Sequence, residues 1–194
     1  MAPSISISIL VTLFIASFFH FSLISNANDE LLTEACSNGM EVWDYKLCLQ
    51  VLQNNFHISS ASDVFTLATS IIESGISNAT NTRAFIQKSI ENELRDAAYY
   101  GSLEDCNDVY NSIIGSFQSA LVEVKDHKEY DAATYDLLLL STDYVNSCQN
   151  ALDSQEMQNS TISAENKFVK IFGLAALKIV SRLDQNSAPP RMFD

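Results

Sequence analysis

Apolar side chains recur at helical spacing along most of this chain. Val64, Leu67, Ala68, Ile71, Ile72, Gly75 and Ile76 follow the i, i+3, i+4 rule of a one-sided helix. Cys106, Val109, Tyr110, Ile113, Phe117, Leu121 and Val124 form a second stripe of the same kind. Leu137, Leu140, Tyr144 and Ala151 form a third, with Cys148 one residue off the spacing. Val169, Phe172, Ala176, Ile179 and Leu183 form a fourth. No proline interrupts the chain between Pro3 and Pro189, and such breakers are what would end long helices. Ser60 with Asp63, and Ser102 with Asp105, have capping-box spacing, and Ser163 precedes Glu165 in a first turn. The pattern predicts helices over 60–95, 102–125, 129–153 and 163–185. Short connections make neighbours antiparallel, so the fold expected is all-α, an up-down four-helix bundle.

The N-terminus has a different character. Residues 5–24, ISISILVTLFIASFFHFSLI, hold no charged side chain and are followed by Ser25-Asn26-Ala27. Such a segment reads as a secretory signal over 1–27, cut after Ala27. An uncleaved membrane anchor is the competing reading, because about 20 apolar residues span a bilayer. No flanking Lys/Arg cluster favours the anchor. The remainder divides into an N-terminal α-hairpin over 28–58, the bundle over 59–186 and a flexible tail over 187–194.

Secretion changes what four cysteines mean, since short secreted chains use them as disulfides. No C-x-x-C occurs, and His57 and His127 do not stand at zinc-ligand spacing from any cysteine. No metal and no cofactor are therefore expected. Cys106 and Cys148 lie 21 residues either side of His127, in the predicted turn KDHKE. In an antiparallel helix pair they are level with each other, each roughly 30 Å from the turn. Cys36 and Cys48 are then left to staple ACSNGMEVWDYKLC into the small hairpin, with Trp43 half buried beneath it. Other connectivities stay open at this point.

The net charge of −13 and pI near 4.4 exclude nucleic acid and anionic membrane faces as natural partners. No G-x-S-x-G, H-E-x-x-H, P-loop or dinucleotide fingerprint appears, so no enzyme is expected. His57 and His127 read as solvated residues, and Glu91/Glu93 and Glu104-Asp105 as solvated helix faces. Tyr99-Tyr100 reads as helix-end packing. Asn78-Ala79-Thr80 and Asn159-Ser160-Thr161 are glycosylation sequons. A small-ligand carrier would need small residues around one cavity, whereas the four stripes are bulky.

The cysteine spacing, the hairpin and the helix count together resemble the plant invertase and pectin methylesterase inhibitor family. ISNATNTRAFI looks like its first long bundle helix, and SLEDCNDVYNSIIGSF carries its Leu-x-x-Cys-x-x-x-Tyr pattern at Leu103, Cys106 and Tyr110. STDYVNSCQNAL sits at its fourth cysteine, where relatives read closer to Thr-Cys-Glu-Asp-Gly-Phe, and STISAENKF stands where relatives have Ser-Pro-Leu-Thr and Asn. The resemblance implies a secreted inhibitor with a protruding α-hairpin before the bundle and disulfides 36–48 and 106–148. It implies a one-to-one complex with a plant acid invertase or pectin methylesterase, blocking the active-site cleft. It also implies a monomer in the cell wall or apoplast, or in the vacuole, with no membrane contact once the leader is removed. Where cell-wall invertase inhibitors carry Pro-Lys-Phe, this chain has Lys128-Glu129-Tyr130. These three are the target-contact candidates, and KEYDAATYDLLLL is most similar to pollen-type invertase inhibitors. Acid-rich contacts in an acidic wall further imply that complex formation depends on pH.

Overall fold

Helices account for nearly all of residues 29–37, 45–92, 97–155 and 161–187, which the computed structural model describes. In chain order they are α1 (29–36), α2 (Tyr45–Gln53), α3 (Phe56–Ser59), α4 (Val64–Asn92), α5 (Ala97–Val122), α6 (Tyr130–Leu139), α7 (Val145–Asp153) and α8 (Thr161–Ser187). There is no strand among the described residues. The leader over 1–27, Trp43, Glu93, Asn159 and most of the tail lie outside them.

The bundle is α4, α5, the α6–α7 run and α8. Helix α4 packs on α5 and α8, and the α6–α7 run closes the ring between those two. The four apolar stripes face inward as expected: Leu67, Ile71, Ile72, Ile113, Phe117, Leu137, Val169 and Ile179 are fully buried. Phe117 lies over Gly75, where a Cβ would sit 2.6 Å from the ring, so the absent side chain sets how closely α4 and α5 approach.

Two helix starts differ from expectation. Asp63, not Ser60, caps α4: its Oδ1 accepts the Thr66 N–H at 2.8 Å and its Oδ2 the Thr66 hydroxyl at 2.8 Å. Those hydrogen bonds hold the Asp63 carboxyl below its usual pKa. Nor does Ser102 start α5, which already runs from Ala97. Its buried hydroxyl instead donates to the Ala151 carbonyl at 2.9 Å, tying α5 to α7. A serine three residues before an acid is too short a pattern to tell a cap from a polar bond between packed helices.

The third predicted helix is continuous but not uniform. A π-helical turn, Leu140–Tyr144, joins α6 to α7. It shifts the inward face by one residue. Ala133 and Leu137 are buried before the turn, Leu140 at its first position, and Val145, Cys148 and Leu152 after it. Tyr144 and Ala151, assigned to the core by strict periodicity, are only half buried. The misfit of Cys148 to the stripe is thereby explained. Room for the turn comes from α8: a Cβ on Gly173 would strike Ser141 Oγ and come within 2.7 Å of Leu140 Cδ1.

The same region carries a buried polar chain. The Tyr110 hydroxyl donates to Asn166 Oδ1 at 2.8 Å, and Asn166 Nδ2 donates to Gln149 Oε1 at 3.1 Å. Gln149 Nε2 in turn donates to the Ser163 hydroxyl at 2.9 Å. Burial, with the Glu165 carboxylate adding to it, drives the Tyr110 phenol pKa far up, so this group stays a hydrogen-bond donor.

Disulfides join Cys36 to Cys48 and Cys106 to Cys148. The first links α1 to α2, whose buried Leu32, Ala35 and Leu52 continue into the bundle core. Glu34 of α1 forms an ion pair with Arg182 of α8, and Asn55 Nδ2 donates to the Ser74 hydroxyl of α4 at 2.9 Å. The hairpin is thus anchored on two bundle helices.

Candidate target-contact turn

Helix α5 does not stop at Val122. It continues as a π-helical turn, Glu123–His127, and is closed by Lys128 in the left-handed conformation, φ 61° and ψ 29°. Lys128 has the only positive φ on a non-glycine residue among the described residues. The N–H groups of Lys128 and Glu129 both donate to the Glu123 carbonyl, the latter at 3.1 Å. This is how a helix end satisfies its last carbonyls, with lysine where glycine is more usual.

The three candidates play different parts. Lys128 turns back on its own helix, its Nζ donating to the Lys125 carbonyl at 3.1 Å and the Val124 carbonyl at 3.4 Å. The same ammonium lies 4.4 Å from the centre of the Phe65 ring on α4. A cation at the carboxyl end of a helix is favoured by the helix dipole. Lys128 is therefore a cap. Glu129 precedes α6, its carbonyl accepting the Ala133 N–H at 3.1 Å. Its exposed carboxylate makes no cap bond. Tyr130 is half buried, with its ring packed against the core. Lys128 and Glu129 are both exposed, but the Lys128 ammonium is engaged in the cap.

Proline cannot stand where Lys128 stands, because its ring fixes φ near −65°. The backbone at this turn thus departs from any pattern that begins with Pro. Nothing in the sequence announced this, since lysine carries no signal for a left-handed residue.

Glu123, which sequence reading missed, sits behind the turn. Its Oε1 accepts from the Ser119 hydroxyl at 3.3 Å, while Oε2 is shut off from solvent with no hydrogen bond. Burial first and then the nearby Asp136 push its pKa above the usual carboxylate value; the Ser119 hydrogen bond opposes them, and Glu129 and His127 add smaller effects of opposite sign. A raised carboxylate pKa means that the folded state holds the proton more tightly. Its stabilising contribution is complete below the ordinary value of 4.5 and is lost as pH rises through the folded pKa. Glu123→Gln should therefore raise the melting temperature at pH 7 and leave it nearly unchanged at pH 4. Thermal melts of both proteins at the two pH values check this, and an equal shift at both would contradict it.

The other candidates are dispersed. His57 and His127 are exposed, as are Glu91, Glu104 and Asp105. Those three carboxylates, with Asn107 and Asp108, line an open groove of about 630 Å³ between α4 and α5. Among the described residues no group of three or more His, Cys, Asp or Glu could hold a metal ion. Tyr99 packs against the core and Tyr100 is exposed. Asn78 Nδ2, the atom a glycan would modify, donates to Glu165 Oε2 at 2.9 Å. The folded protein therefore occupies this first sequon with an α4–α8 contact.

A profile described as plant invertase/pectin methylesterase inhibitor matches residues 30–182. The chain belongs to this family. Its members are inhibitor proteins of two target classes, as the family's description states. The chain is 28% identical over 150 residues to the cell wall/vacuolar inhibitor of fructosidase 2 of Arabidopsis thaliana, covering 77% of this chain and 79% of the relative. Among solved structures, a pectin methylesterase inhibitor from Arabidopsis thaliana superposes with a TM-score of 0.60 at 20% identity. It covers 84% of this chain and 96% of that one. A mutant form of a pectin methylesterase inhibitor from Arabidopsis gives 0.63 at 21% identity, over 75% and 90%. At those identities the two structures establish the shared fold. No described helix is long and apolar enough to cross a membrane.

Proposed function

We propose that this protein is a secreted inhibitor of a plant acid invertase, forming a one-to-one complex that blocks the substrate cleft. The observation that carries this reading is the likeness over 150 residues to an inhibitor of fructosidase. The geometry supports a surface binder. The candidate turn is fixed by two backbone bonds to one carbonyl and by the Lys128 cap. A turn already held in one shape loses little entropy on docking, so its contact energy goes into affinity. The core is filled by Tyr110, Phe117 and large aliphatic residues, an arrangement that disfavours a small-ligand carrier.

Pectin methylesterase is the second target class, favoured by the two structural neighbours only through the fold they share. The leader-like segment 5–24 supports delivery to the cell wall or vacuole. The exposed acids at the turn, Asp126, Glu129 and Asp131, support an association that depends on pH. Gel filtration with light scattering tests the pairing. Oxidised residues 28–194 should elute alone as a monomer at pH 5 and co-elute with invertase at one-to-one stoichiometry. Co-elution with pectin methylesterase alone would move the target, and co-elution with neither would reject the inhibitor reading.

A further inference from the structure

Helix α6 is apolar on the wrong side as well as the right one. Ala133 and Leu137 face the core and are fully buried, as the bundle requires. Tyr135 and Leu138 point away from it, 65% and 41% exposed. A helix packed on one side ordinarily turns a polar face outward, so these two exposed side chains depart from what the bundle alone requires. They stand one turn apart, in an outward strip with Asp131 and Thr142 at spacings of four, three and four.

The chain segment that carries this pair is charged with one sign. From Glu129 to Asn166 the chain holds no Lys or Arg, but seven acids: Glu129, Asp131, Asp136, Asp143, Asp153, Glu156 and Glu165. Neither ion pair among the described residues involves any of them. Glu129, Asp131 and Asp143 are exposed. The result is a tyrosine and a leucine flanked along the chain by exposed carboxylates, continuous with the candidate turn at Glu129. An aromatic anchor inside a polar rim is how protein interfaces are built.

We infer that the outward face of α6, with Tyr135 and Leu138 at its centre, is the part of the docking surface that selects the target enzyme. It fits a protein surface presenting an apolar patch ringed by Lys and Arg beside the substrate cleft. This rests on the inhibitor reading above and extends it beyond the turn. Charge complementarity fixes the kind of partner. A second copy of this chain would bring two acidic rims together, and like-charge juxtaposition is costly.

Two double variants test the face through inhibition of acid invertase at pH 5, measured over a salt series. Both change exposed positions, and thermal melts verify that each retains the fold. Tyr135→Ala/Leu138→Ala should weaken inhibition by about 30-fold or more, the effect of removing a central anchor. Asp131→Lys/Asp143→Lys should slow association about 10-fold and reverse or flatten its salt dependence. Wild-type inhibition matched within about twofold by both variants would overturn the inference and leave the inhibitor reading standing. A dimer of the protein alone that Tyr135→Ala/Leu138→Ala dissociates would overturn it in favour of self-association. No inhibition by the wild type would overturn the inhibitor reading and this inference with it.

Discussion

Cys106→Ala/Cys148→Ala should lower the stability of the oxidised protein by about 4 kcal/mol, the largest loss expected from any pair of substitutions here. The cross-link closes a separation of 42 residues and joins α5 to α7 at a fully buried position. In the chain-entropy picture the unfolded chain regains the freedom of that loop when the bond is absent. The shorter separation of 12 residues between Cys36 and Cys48 is worth about 3 kcal/mol on the same scale. Because a domain of this size is stable by only about 5–15 kcal/mol, the first variant should unfold at a much lower urea concentration. Urea titration of the oxidised wild type and both disulfide-free variants gives the comparison. A loss below about 1 kcal/mol for the 106–148 variant would contradict the expectation.

Lys128→Pro should cost about 3 kcal/mol, and Lys128→Gly less than about 1 kcal/mol in either direction. Proline loses three things at once at this position. It cannot adopt φ 61°, it lacks the N–H that donates to the Glu123 carbonyl, and it has no ammonium to place against the Val124 and Lys125 carbonyls or the Phe65 ring. Glycine keeps the first two and is relieved of the strain a side chain feels in the left-handed region, which offsets the lost cap. Urea midpoints of the three proteins separate these cases. A proline variant as stable as wild type would mean that the turn readily takes the backbone of the Pro-Lys-Phe inhibitors.

The parts of this molecule that were legible in its sequence are those governed by helical periodicity. Leu67, Ile71, Ile113, Phe117, Val169 and Ile179 lie where one inward stripe per helix puts them, because burying such a stripe is what stabilises a bundle. The stripe of the third helix was readable only up to Leu140. Beyond it, the π-helical turn moved burial from Tyr144 to Val145 and from Ala151 to Leu152. That turn depends on the missing side chain of Gly173, more than thirty residues along the chain, and no local pattern encodes such a dependence. The off-stripe Cys148 was its one visible trace. Ser102 illustrates the opposite failure, a local pattern that looked like a cap and became a bond between helices.

The candidate turn was legible in position and not in geometry. Spacing and resemblance together placed Lys128, Glu129 and Tyr130 at the bend between the second and third long helices, and the structure has them there. Which of them faces outward depends on the left-handed backbone at Lys128 and on Phe65, which lies on another helix. Glu123 escaped notice because an isolated glutamate near a helix end is ordinarily solvated. Its buried oxygen and the neighbouring Asp136 arise only once the π-helical turn and α6 are folded together.

The most direct test is a steady-state titration of a plant acid invertase with oxidised residues 28–194 at pH 5, repeated at several sucrose concentrations. An inhibitor that occupies the cleft should abolish activity saturably near equimolar ratio, with excess sucrose shifting the curve to higher inhibitor concentration. Full invertase activity at every ratio and every sucrose concentration would contradict it.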